Sequence, residues 1–322
     1  MAELGCCVQS GRKRKVSHQL PSPSAYNDLP SLLSMEPDSL PDQDNITKRE
    51  TSSRTNHCHH SWRERVAQWC YDVIDLLDAP RENVYVSMNI LDRYTCAFTK
   101  GQELSSKGYR LAAIASLFIA LRLSASVRLK MQKLLQISQS NISIKEANAV
   151  VKKILKTLSL DKPILTPSES VRRLLSPFRK TFDKNTMDEV LEHAFYLVEL
   201  SVCDQHFCEV SPSKMAFAAL ILSMYTATSR CTIDQMTCEH VLNTIQTQTG
   251  MNPASIEIQS LCSHLRSTYD QSHDNQSCSS QTPPTIAIVE SYDDIATATH
   301  YQAKRPKPSN VFEEANCTSS IL

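Results

Sequence analysis

The sequence predicts an all-α protein: two five-helix bundles in tandem, flanked by disordered tails. Three observations predict it. The 322 residues hold only 5 glycines, little material for phosphate-cradling loops or two-residue hairpins. From about residue 60 to about 270 the apolar residues recur at helical spacing instead of alternating. The helices implied by that spacing fall into two sets of five, and the third helix of each set is the most apolar. This is a structural repeat without evident sequence repetition.

Residues 1–60 form a polar tail. Arg12, Lys13, Arg14 and Lys15 are a compact basic run, and from Gln19 to Thr47 there is no Lys, Arg or His. That stretch is rich in Pro, Ser and acid and cannot bury enough apolar surface to offset its ordering entropy. The first helix follows, with Trp62, Val66, Trp69, Val73, Leu76 and Leu77 on one face. The second uses Val86, Ile90, Leu91, Tyr94 and Phe98. The third, about Ser105 to Leu123, is apolar almost all round and should be the central helix of a bundle. A weaker segment covers Val127 to Ile137. The fifth has Ser143 as N-cap with Glu146 at N3, a capping box, and runs to about Leu160.

The second set opens at Thr166, with Pro167 at the first helical position, where its missing N–H costs nothing. Thr186 with Glu189 suggests another capping box, ahead of Val190, Ala194 and Val198. Ser211-Pro212 opens the apolar helix through Ala216, Phe217 and Leu220. Thr232 opens the next, and Asn252-Pro253 the last, to about Tyr269. Residues 271–322 form a second polar tail with the basic patch Lys304-Arg305-Pro306-Lys307. The domains are therefore 1–60 tail, 61–165 first bundle, 166–270 second bundle and 271–322 tail.

Composition excludes some functions. Basic and acidic residues balance at 34 each, and a neutral chain is a poor nucleic-acid binder. The 12 cysteines contain no C-x-x-C pair, and no run of about 18 apolar residues or secretory signal is visible. The thiols read as reduced. His57-Cys58-His59-His60 lacks a second ligand pair and reads as solvated linker, so no metal and no cofactor is expected. No nucleophile–base constellation assembles, and His193 and His240 stand without sequence partners; no catalytic residue is expected.

Four motifs in order carry a family resemblance. The first helix reads Trp62-Arg63-Glu64-Arg65-Val66-Ala67-Gln68-Trp69, and the second holds Asp92-Arg93-Tyr94. The third ends Ile119-Ala120-Leu121-Arg122-Leu123, and the second set contains Ser211-Pro212-Ser213-Lys214 with Ala216, Ala218 and Ala219. This resembles the two cyclin boxes of the cyclin family. The divergent kinase-facing residues are similar to those of the expanded cyclin sets of diatoms and other algae.

The resemblance implies that Arg63 and Asp92 form a buried salt bridge tying the first helix to the second. Residue chemistry agrees, since each sits in an apolar face where an unpaired charge is not tolerated. It also implies kinase contact at Arg122, where the family has lysine, and at Val151, where it has glutamate. Arginine keeps charge and donors but is a planar fork with different reach. Valine cannot accept a hydrogen bond, and an unsatisfied buried group costs about 1–3 kcal/mol, which argues against strong activation. Trp62, Val66, Trp69 and Asp72 occupy the family's shallow substrate-docking groove. Arg65 there disfavours a basic peptide, so Trp62 and Trp69 read first as partly core.

In the tails, Arg12 to Lys15 fits a nuclear import signal, giving nucleus and cytoplasm as the expected location. Gln19 to Thr47 resembles a PEST-type degradation signal, while no Arg-x-x-Leu box occurs in residues 1–60. Ser176-Pro177 and Ser211-Pro212 match proline-directed phosphorylation, but Ser211 is better explained as an N-cap. The leading expectation is a non-enzymatic regulatory subunit in a heterodimer with a cyclin-dependent serine/threonine kinase, with no nucleic acid or membrane partner. The alternatives are a cyclin-fold scaffold that does not activate a kinase and a transcription-initiation factor of the IIB type. The latter would need a zinc ribbon and a basic DNA-facing surface.

Overall fold

The computed structural model describes residues 55–98, 104–124, 127–138 and 140–274, with side chains from Trp62 onward in the first helix. The expectations for Arg12–Lys15, for Gln19–Thr47, for the patch at 304–307 and for the tails up to residue 54 and from residue 275 lie outside the described residues. So do those for the side chains of His57 to His60. Residues 55–60 and 271–274, read as tail, are helical.

The described residues form ten α-helices. The first five are α1 (Thr55–Leu76), α2 (Glu82–Phe98), α3 (Ser106–Leu123), α4 (Met131–Ile137) and α5 (Ile144–Thr157). The second five are α6 (Pro167–Leu175), α7 (Lys184–Cys203), α8 (Pro212–Ser229), α9 (Gln235–Thr249) and α10 (Ile256–Asp274). α3 packs against all four other helices of its set, and α8 does the same in the second set. Both are buried nearly all round, so the most apolar helix of each set is its hub. Fully burying one Leu117-sized side chain contributes about 1.5–3 kcal/mol, and α3 alone buries eleven residues.

Local sequence sets the helix starts. Ser143 Oγ accepts from the Glu146 N–H at 3.2 Å, and Glu146 Oε2 accepts from the Ser143 N–H at 3.0 Å, completing the capping box. Thr166 accepts from the Glu169 N–H at 3.1 Å ahead of Pro167. Two caps differ from the sequence reading. Asp183, not Thr186, caps α7, and Thr186 sits inside the first turn, donating its hydroxyl to Asp183 Oδ2 at 2.6 Å. Asp234, not Thr232, caps α9, with Thr237 donating to it in the same way. A carboxylate accepts from orphan N–H groups with charge assistance, which favours the aspartate over a threonine nearby. Leu76, read as part of the apolar face of the first helix, is exposed at its end. α4 starts only at Met131, and α10 starts at Ile256, after a turn at Asn252-Pro253, and runs on to Asp274.

The two bundles have separate cores that meet along α7. α1 and α2 both pack on it, and Val202, near its end, belongs to the first core. Polar links cross the same seam. Tyr71 donates its hydroxyl to the Glu199 carbonyl at 3.1 Å. Arg81 Nε donates to Glu199 Oε2 at 2.9 Å and its Nη1 reaches Asp75 at 2.6 Å. Arg172 of α6 pairs with Glu82 of α2.

Candidate functional site: the α3–α5 face and the Arg63 anchor

Arg63 is 7% exposed on α1. Its Nε lies 3.2 Å from both Asp92 oxygens, and its Nη2 lies 3.0 Å from Oδ2. The remaining branch, Nη1, donates to the Val202 carbonyl at 3.0 Å. Burial by itself lowers the guanidinium pKa. The Asp92 carboxylate outweighs that and holds it above the ordinary arginine range. One side chain thus joins α1, α2 and α7. The Val202 contact had no signal in the sequence, because a backbone carbonyl acceptor can belong to any residue type.

The groove residues separate. Val66 and Trp69 turn into the first core. Trp62 is half-buried, its ring 5.8 Å from that of Tyr109, and Asp72 is half-buried.

Arg122 stands exposed in the last turn of α3, its guanidinium 5.7 Å from the Phe118 ring. A cation there also suits the negative end of the helix dipole. Val151 is half-buried on α5 and packs against the first core. α3 and α5 pack directly on each other, and Lys107 of α3 bonds Glu146 of α5 at 2.8 Å. Arg122 and Val151 therefore belong to one two-helix layer. Three large apolar residues of that layer remain exposed: Leu123 at 51%, Ile144 at 43% and Leu155 at 50%. Ile144, Val151 and Leu155 are seven and four residues apart, which sets them in one stripe along α5. Sequence reasoning placed Val151 but missed its two neighbours in the stripe; helical spacing was the signal for them.

No strongly activated nucleophile appears among the described thiols whose acidity is perturbed. Burial pushes Cys70 and Cys203 up to about 12, keeping them as thiols. Among the described residues no cluster of three His, Cys, Asp or Glu could hold a metal ion, and no helix is long and apolar enough to cross a membrane.

Known proteins are similar to this chain over both five-helix bundles. The chain matches the N-terminal domain of cyclins over residues 29–161 and the C-terminal domain of cyclins over residues 165–285. It is 25% identical over 210 residues to G2/mitotic-specific cyclin-1 of Medicago sativa subsp. varia, covering 65% of this chain and 42% of that one. It is 22% identical over 227 residues to Cyclin-B2-3 of Arabidopsis thaliana, covering 70% and 46%. Cyclin-B1-1 of Oryza sativa subsp. japonica is 24% identical over 165 residues, covering 51% and 35%. The matches span less than half the length of each of these three relatives. With two consecutive family domains over the two bundles that the helices build, the chain belongs to the cyclin family.

Proposed function

We propose that the chain is a regulatory subunit that binds a cyclin-dependent serine/threonine kinase as a heterodimer and activates it in the control of cell division. One observation carries the reading. The α3–α5 layer exposes Arg122 and Leu123 at the end of α3 and Ile144 and Leu155 along α5, in a bundle whose other apolar side chains are mostly sealed inside. Large apolar side chains left exposed on one packed pair of helices support a protein partner. Activation then comes from tighter binding to one kinase conformation than to the other, and needs no catalytic group on this chain. The basic run Arg12 to Lys15 supports action in the nucleus as well as the cytoplasm.

Mixing the purified chain with purified cyclin-dependent kinases and following histone phosphorylation tests this. Activity rises with the chain present. Arg122→Glu lowers complex formation by at least about tenfold without moving the melting temperature, because the side chain is exposed. Absence of binding to any kinase at micromolar concentration overturns the proposal. Val151 favours a second reading, a scaffold, because valine offers no acceptor where the family has glutamate. Binding without activation supports the scaffold.

A further inference from the structure

A cluster of titratable side chains at the end of α7 has no part in the α3–α5 face. Asp204 follows the last turn of α7, and a short 3-10 turn, Gln205–Phe207, follows Asp204. Both carboxylate oxygens are engaged. Oδ1 accepts from the His206 backbone N–H at 2.8 Å. Oδ2 lies 2.9 Å from His264 Nε2 of α10, with the Thr268 hydroxyl at 3.4 Å. The His206 ring stacks on the His264 ring, with centroids 4.0 Å apart and planes 27° apart. Phe207 meets both rings edgewise. The turn also packs against α1, so the cluster stands where the two bundles meet.

The two imidazoles do not accept protons on equal terms. His206 is exposed and His264 keeps 39% of its side-chain surface, so protons reach both. The contact with Asp204 needs a proton on His264 Nε2, and a further proton on Nδ1 turns that hydrogen bond into an ion pair. The negative end of α7 favours a cation there as well. The His206 ring forms no ion pair among the described residues, and a proton on it sets a second positive charge 4.0 Å from the first.

The charges around the cluster are otherwise committed or neutral. From α1, Arg63 and Glu64 act on Cys203, and Arg63 is held by Asp92 of α2. Burial pushes the thiols of Cys203 and Cys208 up to about 12, so neither carries charge. Glu209 acts on Cys208, and Arg266 is exposed on α10. From α8, which also packs on α10, Lys214 is tied to Glu257 at 2.6 Å.

We propose that Asp204, His206 and His264 form a proton-operated clasp. One proton tightens α10 onto the end of α7. A second parts the stacked rings and frees the turn from α10. Acidification therefore first strengthens and then weakens this junction.

Thermal melts of the full chain between about pH 8 and about pH 5, with a chelator present, test the clasp. His206→Gln should melt at least about 1 °C below wild type at the upper end, where the stack is neutral, and at least about 1 °C above it at the lower end, where the repulsion is gone. Groups common to both chains cancel in that difference. The crossing should vanish in a His264→Gln background and shrink as salt rises from about 0.05 M to about 0.5 M. A constant offset over the whole range overturns the proposal, because stacking alone gives that. So does a crossing that survives in the His264→Gln background, or one seen only when zinc replaces the chelator. If His264→Gln does not fold, the imidazole C–H resonances decide instead. The His264 signal should move in two steps with pH in wild type and in one in His206→Gln; one step in both overturns the proposal.

Discussion

A buried guanidinium shows how one residue can decide a fold. Arg63 spends its donors on Asp92 and on the Val202 carbonyl, so truncating it orphans a carboxylate and a backbone oxygen together. Breaking one side of such a pair costs about 3–5 kcal/mol. The lower end applies here, because Asp92 keeps 30% of its side-chain surface in contact with water. Whole-domain stability is about 5–15 kcal/mol. Arg63→Ala should therefore lower the urea midpoint sharply, and loss of the proposed kinase binding in that variant would report unfolding. Arg122→Glu, on an exposed site, should leave the midpoint within about 0.5 kcal/mol of wild type. The pairing of Arg63 and Asp92 was legible because a charge inside an apolar helical face needs a partner. That Arg63 also holds α7 was not, since 139 residues separate it from Val202.

Helix starts were legible where the cap and its N3 partner reciprocate, as in Ser143 with Glu146. They were misread at Thr186 and Thr232, where threonine stands near a stronger cap. Both threonine readings overlooked an aspartate close by, Asp183 and Asp234. The α5 start also predicts a pH response. The hydrogen bond from Lys107, then those from Ser143, hold the Glu146 carboxyl down at about 2, against an ordinary 4.5. A carboxyl depressed on folding contributes stability that is complete above its unfolded pKa and is lost as pH falls toward the folded one. Between about pH 4.5 and 2 the wild-type chain should lose this contribution, and Glu146→Gln should show a shallower loss over that interval. Thermal melts of the two chains across that range give the comparison. The same start fixes the direction of α5, and with it the line of Ile144, Val151 and Leu155.

At the scale of the whole molecule, the two-bundle plan was legible from helical periodicity and two unusually apolar third helices. The seam was not. Arg81, Glu199, Glu82 and Arg172 are ordinary surface-type charges in the sequence, and only the docking of the first bundle on α6 and α7 brings them together. Glu199 is 8% exposed, so Arg81→Ala leaves its carboxylate buried without its guanidinium partner. Calorimetry should show one unfolding transition for the wild-type chain and a broadened or split one for Arg81→Ala, as the bundles cease to melt together.

Val202 has a further consequence. It lies in the second five-helix set by sequence and in the first core by position, and its carbonyl is held by Arg63. The connector at Ser159, Asp161, Lys162 and Pro163 is exposed. Covalent continuity and structural continuity are thus carried by different parts of the chain. A protease cutting that connector would sever the polypeptide yet leave the halves joined, because the first core would still contain Val202 of the second half. Synthesised separately, the first half would lack Val202 from its core and would regain it on mixing with the second.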